Sequence, residues 1–333
     1  MASLNEVIKR HMIDNNLENK DYLYENILIT GIGGDIGSGI AKILRKSNIA
    51  CKLIGSDIHN QHAGKYLVDE IIIIERADSE NYLNFLKKVI DEYSIDLVIP
   101  MSVAEIELFD KKNLMKELDY IPIILANKKA MEIGHDKYNT YKFLKSVNLP
   151  YPWTIPVNEG PPQNIPCIIK SRTGSGSRSV NIVYEDFVNY YSKTRPNDLW
   201  QELLLPEDEE YTCGLYGLKN GELRTIVFKR RLSGGISVYG EIVINKGIED
   251  TLSTLAKHLK LRGSINVQLR ITKRGPVIFE INPRFSSTVV FRHLLGFKDL
   301  IWSIYEQKGI PLEEYIPPKE GTIFIRGSME YIL

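Results

Sequence analysis

The stretch from Ser264 to Ser287 constrains the fold of this chain most, because two runs of alternating apolar and polar residues flank the turn signal Gly275-Pro276. If the turn is centred on Arg274, the two runs pair as an antiparallel hairpin whose side chains alternate between two faces. The predicted core face consists of Val267, Leu269, Ile271, Val277, Phe279 and Ile281. The predicted polar face consists of Asn266, Gln268, Arg270, Glu280 and Asn282.

The polar face offers oxygen atoms to a hard cation. Gln268 faces Glu280 in this register, and Asn282 follows on the same face, so one carboxylate is flanked by amides. Magnesium binds oxygen ligands, commonly one or two carboxylates together with substrate phosphates. Arg284 follows Pro283 at the strand end and brings a guanidinium beside this face. The alternative interpretation is an ordinary hairpin with a solvated polar face.

These residues resemble the ATP-grasp superfamily, most closely its carbamoyl-phosphate-synthetase-like branch. In that branch a Gln on one strand and Glu-x-Asn-Pro-Arg on the next hold the magnesium of ATP. The resemblance extends from about residue 26 to about residue 300. It implies that Gln268, Glu280 and Asn282 bind Mg²⁺, with Mn²⁺ as an alternative, and that Arg284 stabilises charge on the transferred phosphoryl group.

The first third of the chain alternates short apolar runs with helical segments, which predicts a parallel, doubly wound sheet. With the resemblance, the predicted fold is α/β, with a Rossmann-like pre-ATP-grasp domain followed by a two-lobed ATP-grasp fold. The predicted bounds are 1–125 for the Rossmann-like domain, 126–200 for the small lobe with its Gly/Ser phosphate loop, and 201–333 for the large lobe with the magnesium hairpin.

A dehydrogenase is the competing interpretation of the first half of the chain. Residues 30–37 match T-G-x-x-G-x-x-G, and Asp57 follows where an acid would bind the ribose of NAD. Tyr138 and Lys142 supply Y-x-x-x-K, although this pattern arises easily by chance in a chain with 18 tyrosines. In the ATP-grasp family the glycine turn instead borders the substrate cleft.

Two lysines and a glycine loop are predicted to bind phosphate. Lys170 ends the apolar run Cys167–Lys170, and a Gly/Ser loop follows it. Glycines let backbone N–H groups approach phosphate oxygens, and a lysine supplies a point charge. The resemblance adds Lys137 as a second phosphate ligand, a solvated helix lysine being the alternative. The loop residues in the predicted nucleotide site are Gly174, Ser175, Gly176 and Ser177.

The resemblance places adenine at the apolar run after Leu199, where Gln201, Glu202 and Leu204 are the predicted contacts. A later acid contacts the ribose; Glu210 is the first choice, and Glu207 or Glu209 could serve instead. Arg231 precedes a Ser/Gly loop that suits an anionic substrate, so we predict a catalytic role for it beside Lys170 and Arg284.

The composition of the chain argues against some classes of binding partner and indicates a cellular compartment. Lys+Arg and Asp+Glu both number 42, which argues against binding to nucleic acid or an anionic membrane. Three widely spaced cysteines suit a reducing cytoplasm, and the first residues are polar rather than signal-like. The expected partners are a small-molecule carboxylate and an amine. The sequence leaves the oligomeric state open, a homodimer included.

The sequence therefore predicts an ATP-dependent carboxylate–amine ligase that forms an amide through an acyl phosphate and releases ADP and phosphate. Three alternatives stay open. They are a bicarbonate-activating, carbamoyl-phosphate-synthetase-like enzyme, an NAD-dependent oxidoreductase, and a catalytically silent nucleotide-binding module.

Overall fold

Three β-sheets organise the chain, and the computed structural model describes residues 22–111, 118–174 and 180–327. The first sheet contains β1 (Tyr24–Thr30), β2 (Ala50–Asp57), β3 (Glu70–Ile73) and β4 (Leu97–Ile99), all parallel, in the order β3-β2-β1-β4. Its helices are α1 (Asp35–Arg45), α2 (Tyr82–Glu92) and α3 (Val103–Lys111). The predicted alternation of apolar strands and helices is confirmed. The apolar residues 121–125 also predict a strand, but in the structure they form only a single parallel bridge to β4, between Ile123 and Val98.

The second sheet is small and antiparallel. Helices α4 (Lys128–Gly134) and α5 (Lys137–Ser146) precede it. Its strands are β5 (Thr154–Pro156), β6 (Cys167–Lys170), β7 (Asn181–Val183) and β8 (Leu199–Glu202), in the order β5-β8-β6-β7, and α6 (Glu185–Thr194) joins the last two. Ala130 of α4 and Leu144 of α5 are buried in the core of the third sheet, so both helices pack against that sheet, and α5 also contacts β5 of the small sheet.

The third sheet has six antiparallel strands, in the order β13-β12-β9-β10-β11-β14. They are β9 (Glu210–Gly217), β10 (Leu223–Ser233), β11 (Ile236–Ile242), β12 (Gly263–Thr272), β13 (Gly275–Asn282) and β14 (Ile323–Ile325). Helix α7 (Lys246–Leu259) packs against β13, as expected for a helix behind the hairpin. Two short helices, α8 (Val289–Leu294) and α9 (Asp299–Lys308), follow the hairpin.

The β12–β13 hairpin confirms the predicted polar pairing and corrects part of the core face. Gln268 pairs with Glu280, but Leu269 pairs with Ile278, so a β-bulge shifts the register beside Phe279. A bulge leaves two residues opposite one and re-aims the side chains beyond it. Ile278 is therefore fully buried in the core, whereas Phe279 is half-buried and lines the cleft described below. The prediction that Phe279 belongs to the core face is wrong.

Residues from the last third of the chain complete the hydrophobic core of the first sheet. Its core contains Phe285, Val289 and Leu300 beside the apolar residues of β1, β2 and β4. Arg326 adds an ion pair to Asp35 at the start of α1, with a distance of 2.7 Å between guanidinium and carboxylate. The domain bounds expected from the sequence remain a prediction.

Candidate active site

A cleft of about 930 Å³ lies between the small sheet and the six-stranded sheet. Strand β6, the segment after β8, strand β10 and the hairpin supply its walls. The structure brings ten sequence-predicted site residues together there: Lys137, Lys170, Gly174, Gln201, Glu202, Leu204, Glu210, Arg231, Gln268 and Glu280. Ser175, Gly176 and Ser177 of the predicted phosphate loop lie outside the described residues.

Lys170 is the cation at the centre of this cleft. The end of β6 carries it inward, where only 4% of its surface is exposed, and its Nζ donates to the carbonyl of Phe279 at 3.2 Å. Burial lowers the pKa of Lys170 to about 8, although the nearby Glu280 favours the charged form. This lysine joins the small sheet to the hairpin and presents a desolvated ammonium group to the cleft.

Glu280 and Asn282 form an oxygen-rich pair on the hairpin. Asn282 Nδ2 donates to Glu280 Oε1 at 3.2 Å. Burial alone would raise the pKa of Glu280, but the positive charges of Lys137, Lys170 and Arg230 lower it below its ordinary value. The carboxylate is therefore ionised at neutral pH and ready to bind a cation.

The donor set fits magnesium held with substrate phosphates. No cluster of three or more His, Cys, Asp or Glu side chains that could hold a metal occurs among the described residues. A site with one carboxylate and neighbouring amides needs further oxygen ligands, and phosphates supply them. The cations around Glu280 suit the same phosphates. The arrangement therefore fits Mg²⁺ bound together with a nucleotide rather than alone.

Lys137 starts helix α5 and reaches the glycine loop. Asp136 caps the helix by accepting from the N–H groups of Tyr138 and Asn139, which fixes where the helix begins. Asp136 also accepts from Arg172 Nε at 2.8 Å. Lys137 Nζ donates to the carbonyl of Gly174 at 2.8 Å. The cap and this bond hold the helix start against the loop that was predicted to cover phosphate.

The predicted adenine contacts lie at the end of β8 and just after it. Gln201 is buried and donates to Thr154 Oγ1 at 3.0 Å. Glu202 accepts from Arg274 at 2.6 and 2.7 Å, so its carboxylate ties the hairpin turn to the small sheet. The carbonyl of Leu204 accepts from Arg270 at 2.5 Å. All three residues line the cleft, and these bonds fix the shape of its wall.

The three candidate acids for ribose lie in different environments. Glu210, at the start of β9, accepts from Arg230 at 2.7 Å and from Arg270 at 2.5 Å. Glu209 accepts from the hydroxyl of Tyr211 and from Lys229, and these bonds lower its pKa. Glu207 is exposed on the cleft wall. A ribose contact by Glu209 or Glu210 would compete with an existing salt bridge. Glu207 has no salt bridge among the described residues, so no such bond would have to be broken there.

Arg231 and Arg284 lie at different distances from the cleft. Arg231 is exposed, lines the cleft and stacks on Tyr239, with 4.8 Å from guanidinium to ring centre. Arg284 is half-buried and donates to the carbonyl of Phe285 at 2.9 Å. It lines a small neighbouring cavity rather than the main cleft, as does Pro283. Burial lowers the pKa of Arg284, and Glu280 opposes that shift.

The glycine turn of the first sheet is occupied by the chain itself. Gly33 N–H donates to Asp57 Oδ2 at 2.8 Å, and Ile58 N–H donates to Oδ1, also at 2.8 Å. The ring of His62 lies against Gly33, because a Cβ there would meet it at 2.6 Å. An acid that binds the ribose of NAD needs free oxygens, so this turn is poorly suited to NAD.

Sequence reasoning missed three features of the site. Phe279 was assigned to the core because nothing in the alternation reveals a bulge. Arg230 belongs to a cationic strand end that the sequence marks only as suited to an anionic substrate, yet it contacts both Glu210 and Gln268. For Arg292, in the helical segment after the hairpin, the sequence predicts a contact with a substrate carboxylate or a surface position; it is instead fully buried, with 3.5 Å between its guanidinium and the carboxylate of Asp299. Val289 and Arg292 stand three residues apart in α8 and share its buried face, which is the signal that the sequence offered.

Two family models match the chain. Residues 27–124 match the model described as "PylC-like, N-terminal domain". Residues 199–325 match the model described as "ATP-grasp in the biosynthetic pathway with Ter operon", which contains the cleft residues of β9, β10 and the hairpin. No curated protein sequence is significantly similar to the chain.

Solved structures share the fold at low sequence identity. The ADP complex of purK, an N5-carboxyaminoimidazole ribonucleotide synthetase, is 16% identical, covers 91% of this chain and 82% of its own, and has a TM-score of 0.69. A biotin carboxylase from Campylobacter jejuni is 15% identical, with coverages of 90% and 74% and a TM-score of 0.69. The N5-carboxyaminoimidazole synthetase from Staphylococcus aureus complexed with ADP is 17% identical, with coverages of 92% and 82% and a TM-score of 0.67. The ATP-grasp architecture predicted from the sequence is confirmed.

Within the described ranges, no helix combines the length and the apolar character needed to cross a lipid bilayer.

Proposed function

Because the chain joins a PylC-like N-terminal domain to an ATP-grasp domain, we propose that it is an ATP-dependent ligase that joins a small carboxylic acid to an amine. One observation carries the proposal. Inside the large cleft, Lys170 at the end of β6 donates to the hairpin carbonyl of Phe279, beside Glu280. Asn282 lies buried behind Glu280 and donates to its carboxylate. A buried ammonium group and an ionised carboxylate on opposite walls suit a magnesium-bound polyphosphate.

The residues would divide the nucleotide between them. Glu280 and Asn282 would hold the cation, which neutralises phosphate charge when bound. Lys137, Lys170 and Gly174 would contact the phosphates, and Ser175, Gly176 and Ser177 remain the predicted remainder of that phosphate site. Gln201, Glu202 and Leu204 would border adenine, and Glu207, Glu209 or Glu210 would contact the ribose.

The proposed chemistry has two displacements. A carboxylate oxygen of the substrate attacks the γ-phosphorus, the bond to ADP breaks, and an acyl phosphate forms. An amine nitrogen then attacks the acyl carbon, phosphate leaves, and the nitrogen loses a proton. The protein contributes mainly positioning and charge stabilisation. Lys170 would stabilise the transferred phosphoryl group directly, Arg284 would contribute its positive charge from beside Glu280, and Arg231 would orient the acidic substrate.

The test is a screen of amino-acid and sugar-acid substrates for ATP-dependent release of phosphate. With the right carboxylate, hydroxylamine in place of the amine should intercept the acyl phosphate as a hydroxamate. Phosphate release that needs bicarbonate but no organic acid would favour the bicarbonate-activating alternative. Product formation without phosphate release would overturn the ligase proposal.

Glu280→Gln should abolish turnover while the fold is kept. The substitution removes the single carboxylate of the hairpin's polar face but keeps its shape. We expect a loss of roughly a thousandfold or more in rate, equivalent to several kcal/mol of transition-state stabilisation. Steady-state phosphate release measures the loss, and Glu249→Gln is the matched control, because this partly exposed residue in the first turn of α7 does not line the cleft. Normal turnover by Glu280→Gln would remove the hairpin from the mechanism.

A further inference from the structure

Arg230 contacts the polar face of the hairpin at Gln268. Sites of phosphoryl transfer hold one or two divalent cations, which bridge phosphate oxygens and neutralise charge. The hairpin offers oxygen ligands on two neighbouring positions, Gln268 on β12 and Glu280 on β13, which face each other across the pair. A site for two cations would use both positions.

The Gln268 position already contacts a cation of the protein. Arg230 donates through one NH₂ group to Gln268 Oε1 at 2.8 Å and to Glu210 Oε1 at 2.7 Å. Its Nε donates to the same Glu210 oxygen at 3.1 Å. The guanidinium therefore bridges the hairpin and β9 on the Gln268 side of Glu280, and its side chain is only 7% exposed.

This guanidinium is anchored rather than free to withdraw. Glu210 holds Arg230 through one oxygen and Arg270 through the other, at 2.5 Å. Arg270 is fixed in turn by the carbonyl of Leu204. Charge-assisted bonds of this kind are among the strongest hydrogen bonds in proteins. A metal ion next to Gln268 would meet a buried, fixed positive charge at hydrogen-bond distance from its own ligand.

The charges around the site favour the same conclusion. Gln268 is neutral, so it adds no negative charge to attract a second metal ion. Glu210 is shared by two guanidinium groups, which leaves an excess of positive charge on that side. Glu280 is the carboxylate that stays available to a metal, with Asn282 as its amide neighbour.

We propose that Arg230 takes the place of a second divalent cation, so that the cleft binds one divalent cation per nucleotide, at Glu280 and Asn282. Gln268 then orients the guanidinium instead of ligating metal. This inference rests on the proposed function, because it concerns the nucleotide in the same cleft. Because a guanidinium of the protein occupies the position of the second cation, a positive charge is present there at any magnesium concentration.

The test counts Mn²⁺ bound with a non-hydrolysable ATP analogue. The full chain is saturated with the analogue, Mn²⁺ is titrated, and the electron paramagnetic resonance signal of free Mn²⁺ gives the bound amount. We expect one Mn²⁺ per bound analogue for the wild type. The double variant Arg230→Met with Gln268→Glu removes the guanidinium and adds a carboxylate, so it should bind two. Arg270→Met, which keeps the contact between Arg230 and Gln268, should bind one.

The outcomes separate this inference from the proposed function. Two Mn²⁺ per analogue in the wild type would overturn the role of Arg230 while leaving the nucleotide site intact. One Mn²⁺ in the folded double variant would also overturn it. A wild type that binds no analogue at all would overturn the proposed function itself. If the double variant fails to unfold cooperatively, the wild-type stoichiometry still decides.

Discussion

Lys170 shows how one residue can couple nucleotide binding to pH. Its ordinary pKa of 10.5 falls to about 8 because burial disfavours the charged ammonium. The group is protonated below about pH 8 and loses its proton as the pH rises through that value. Without nucleotide, the unfolded chain binds more protons between these two pKa values, so this group makes the folded state more stable as pH rises.

Nucleotide affinity should change in the opposite direction. In the proposed site the phosphates of ADP contact the ammonium form of Lys170, so the affinity for Mg·ADP should be level below about pH 8. Above it, the affinity should fall by up to tenfold per pH unit. Calorimetric titration between pH 6.5 and 9.5 measures this profile. Lys170→Met should bind weakly, with an affinity that does not fall over the same range. A wild-type affinity that stays level to pH 9.5 would contradict the phosphate contact.

Asp299 illustrates a buried charge with a structural role. It accepts from Ser264 Oγ at 2.7 Å and lies beside the fully buried Arg292, whose guanidinium also donates to Asn266. Asn266 pairs with Asn282 across the hairpin, so the buried pair of Asp299 and Arg292 supports one end of the hairpin's polar face. Removing one partner of a buried pair leaves the other charge uncompensated.

Asp299→Asn should therefore destabilise the chain by about 3–5 kcal/mol. Urea unfolding followed by circular dichroism measures the loss. The matched control is Asp78→Asn, which removes an exposed ion pair with Arg76 and should leave the midpoint unchanged. Equal midpoints for Asp299→Asn and the wild type would show that the buried pair adds nothing to stability.

At the scale of elements, the hairpin shows what alternation predicts and what it does not. The pairs Asn266–Asn282 and Gln268–Glu280 follow from the turn position and are confirmed. The bulge beside Phe279 depends on how the strand meets Lys170 and the opposite sheet, which are distant in sequence. The local pattern of polar and apolar residues does not reveal contacts with residues that are distant in sequence. Strands β1 and β6 were predictable because each is a short, nearly continuous apolar run, and the same apolar side chains cause these strands to be buried.

The bulge can be tested by two neighbouring substitutions. Ile278 is fully buried, and Phe279 is half-buried at the cleft. Ile278→Ala should cost about 2–4 kcal/mol of unfolding free energy because it leaves a cavity in the core. Phe279→Ala should cost only about 1 kcal/mol and should weaken nucleotide binding instead. Urea unfolding and calorimetric titration of both variants compare the two effects. If Phe279→Ala lost more unfolding free energy than Ile278→Ala, the bulge would be contradicted and a regular hairpin with Phe279 in the core would be favoured.

The candidate site was only partly predictable for a related reason. Lys170, Glu280 and Asn282 stand at strand ends or on alternating faces, where local sequence fixes their direction. The partners of Glu210, which are Arg230 and Arg270, come from β10 and β12. Such pairings depend on the order of strands in the sheet, and a single sequence does not reveal that order.

At the scale of the whole molecule, ATP and NAD would bind to different regions of the chain. The cleft lies between the second and third sheets, whereas the glycine turn of the first sheet is bonded to Asp57. A ligand that binds only the folded state raises its apparent stability. Mg·ADP should therefore raise the melting temperature by several degrees, and NAD or NADP should not. Differential scanning fluorimetry measures the shifts.

The control for this prediction is Glu280→Gln, which should lose the response to Mg·ADP. Stabilisation of the wild type by NAD alone would contradict the position of the nucleotide site and favour an oxidoreductase. The first sheet would then be the functional half of the molecule.

The core of the first sheet has a consequence for the order in which the chain can fold. Apolar residues of β1 and β4 need Phe285, Val289 and Leu300 to complete their packing. During translation those residues leave the ribosome long after β4, at a delay of roughly 10–40 s for synthesis at about 5–20 residues per second. Throughout that interval the nascent first sheet has an uncovered apolar face. Chaperone binding to this face would protect the emerging polypeptide until its last third is made.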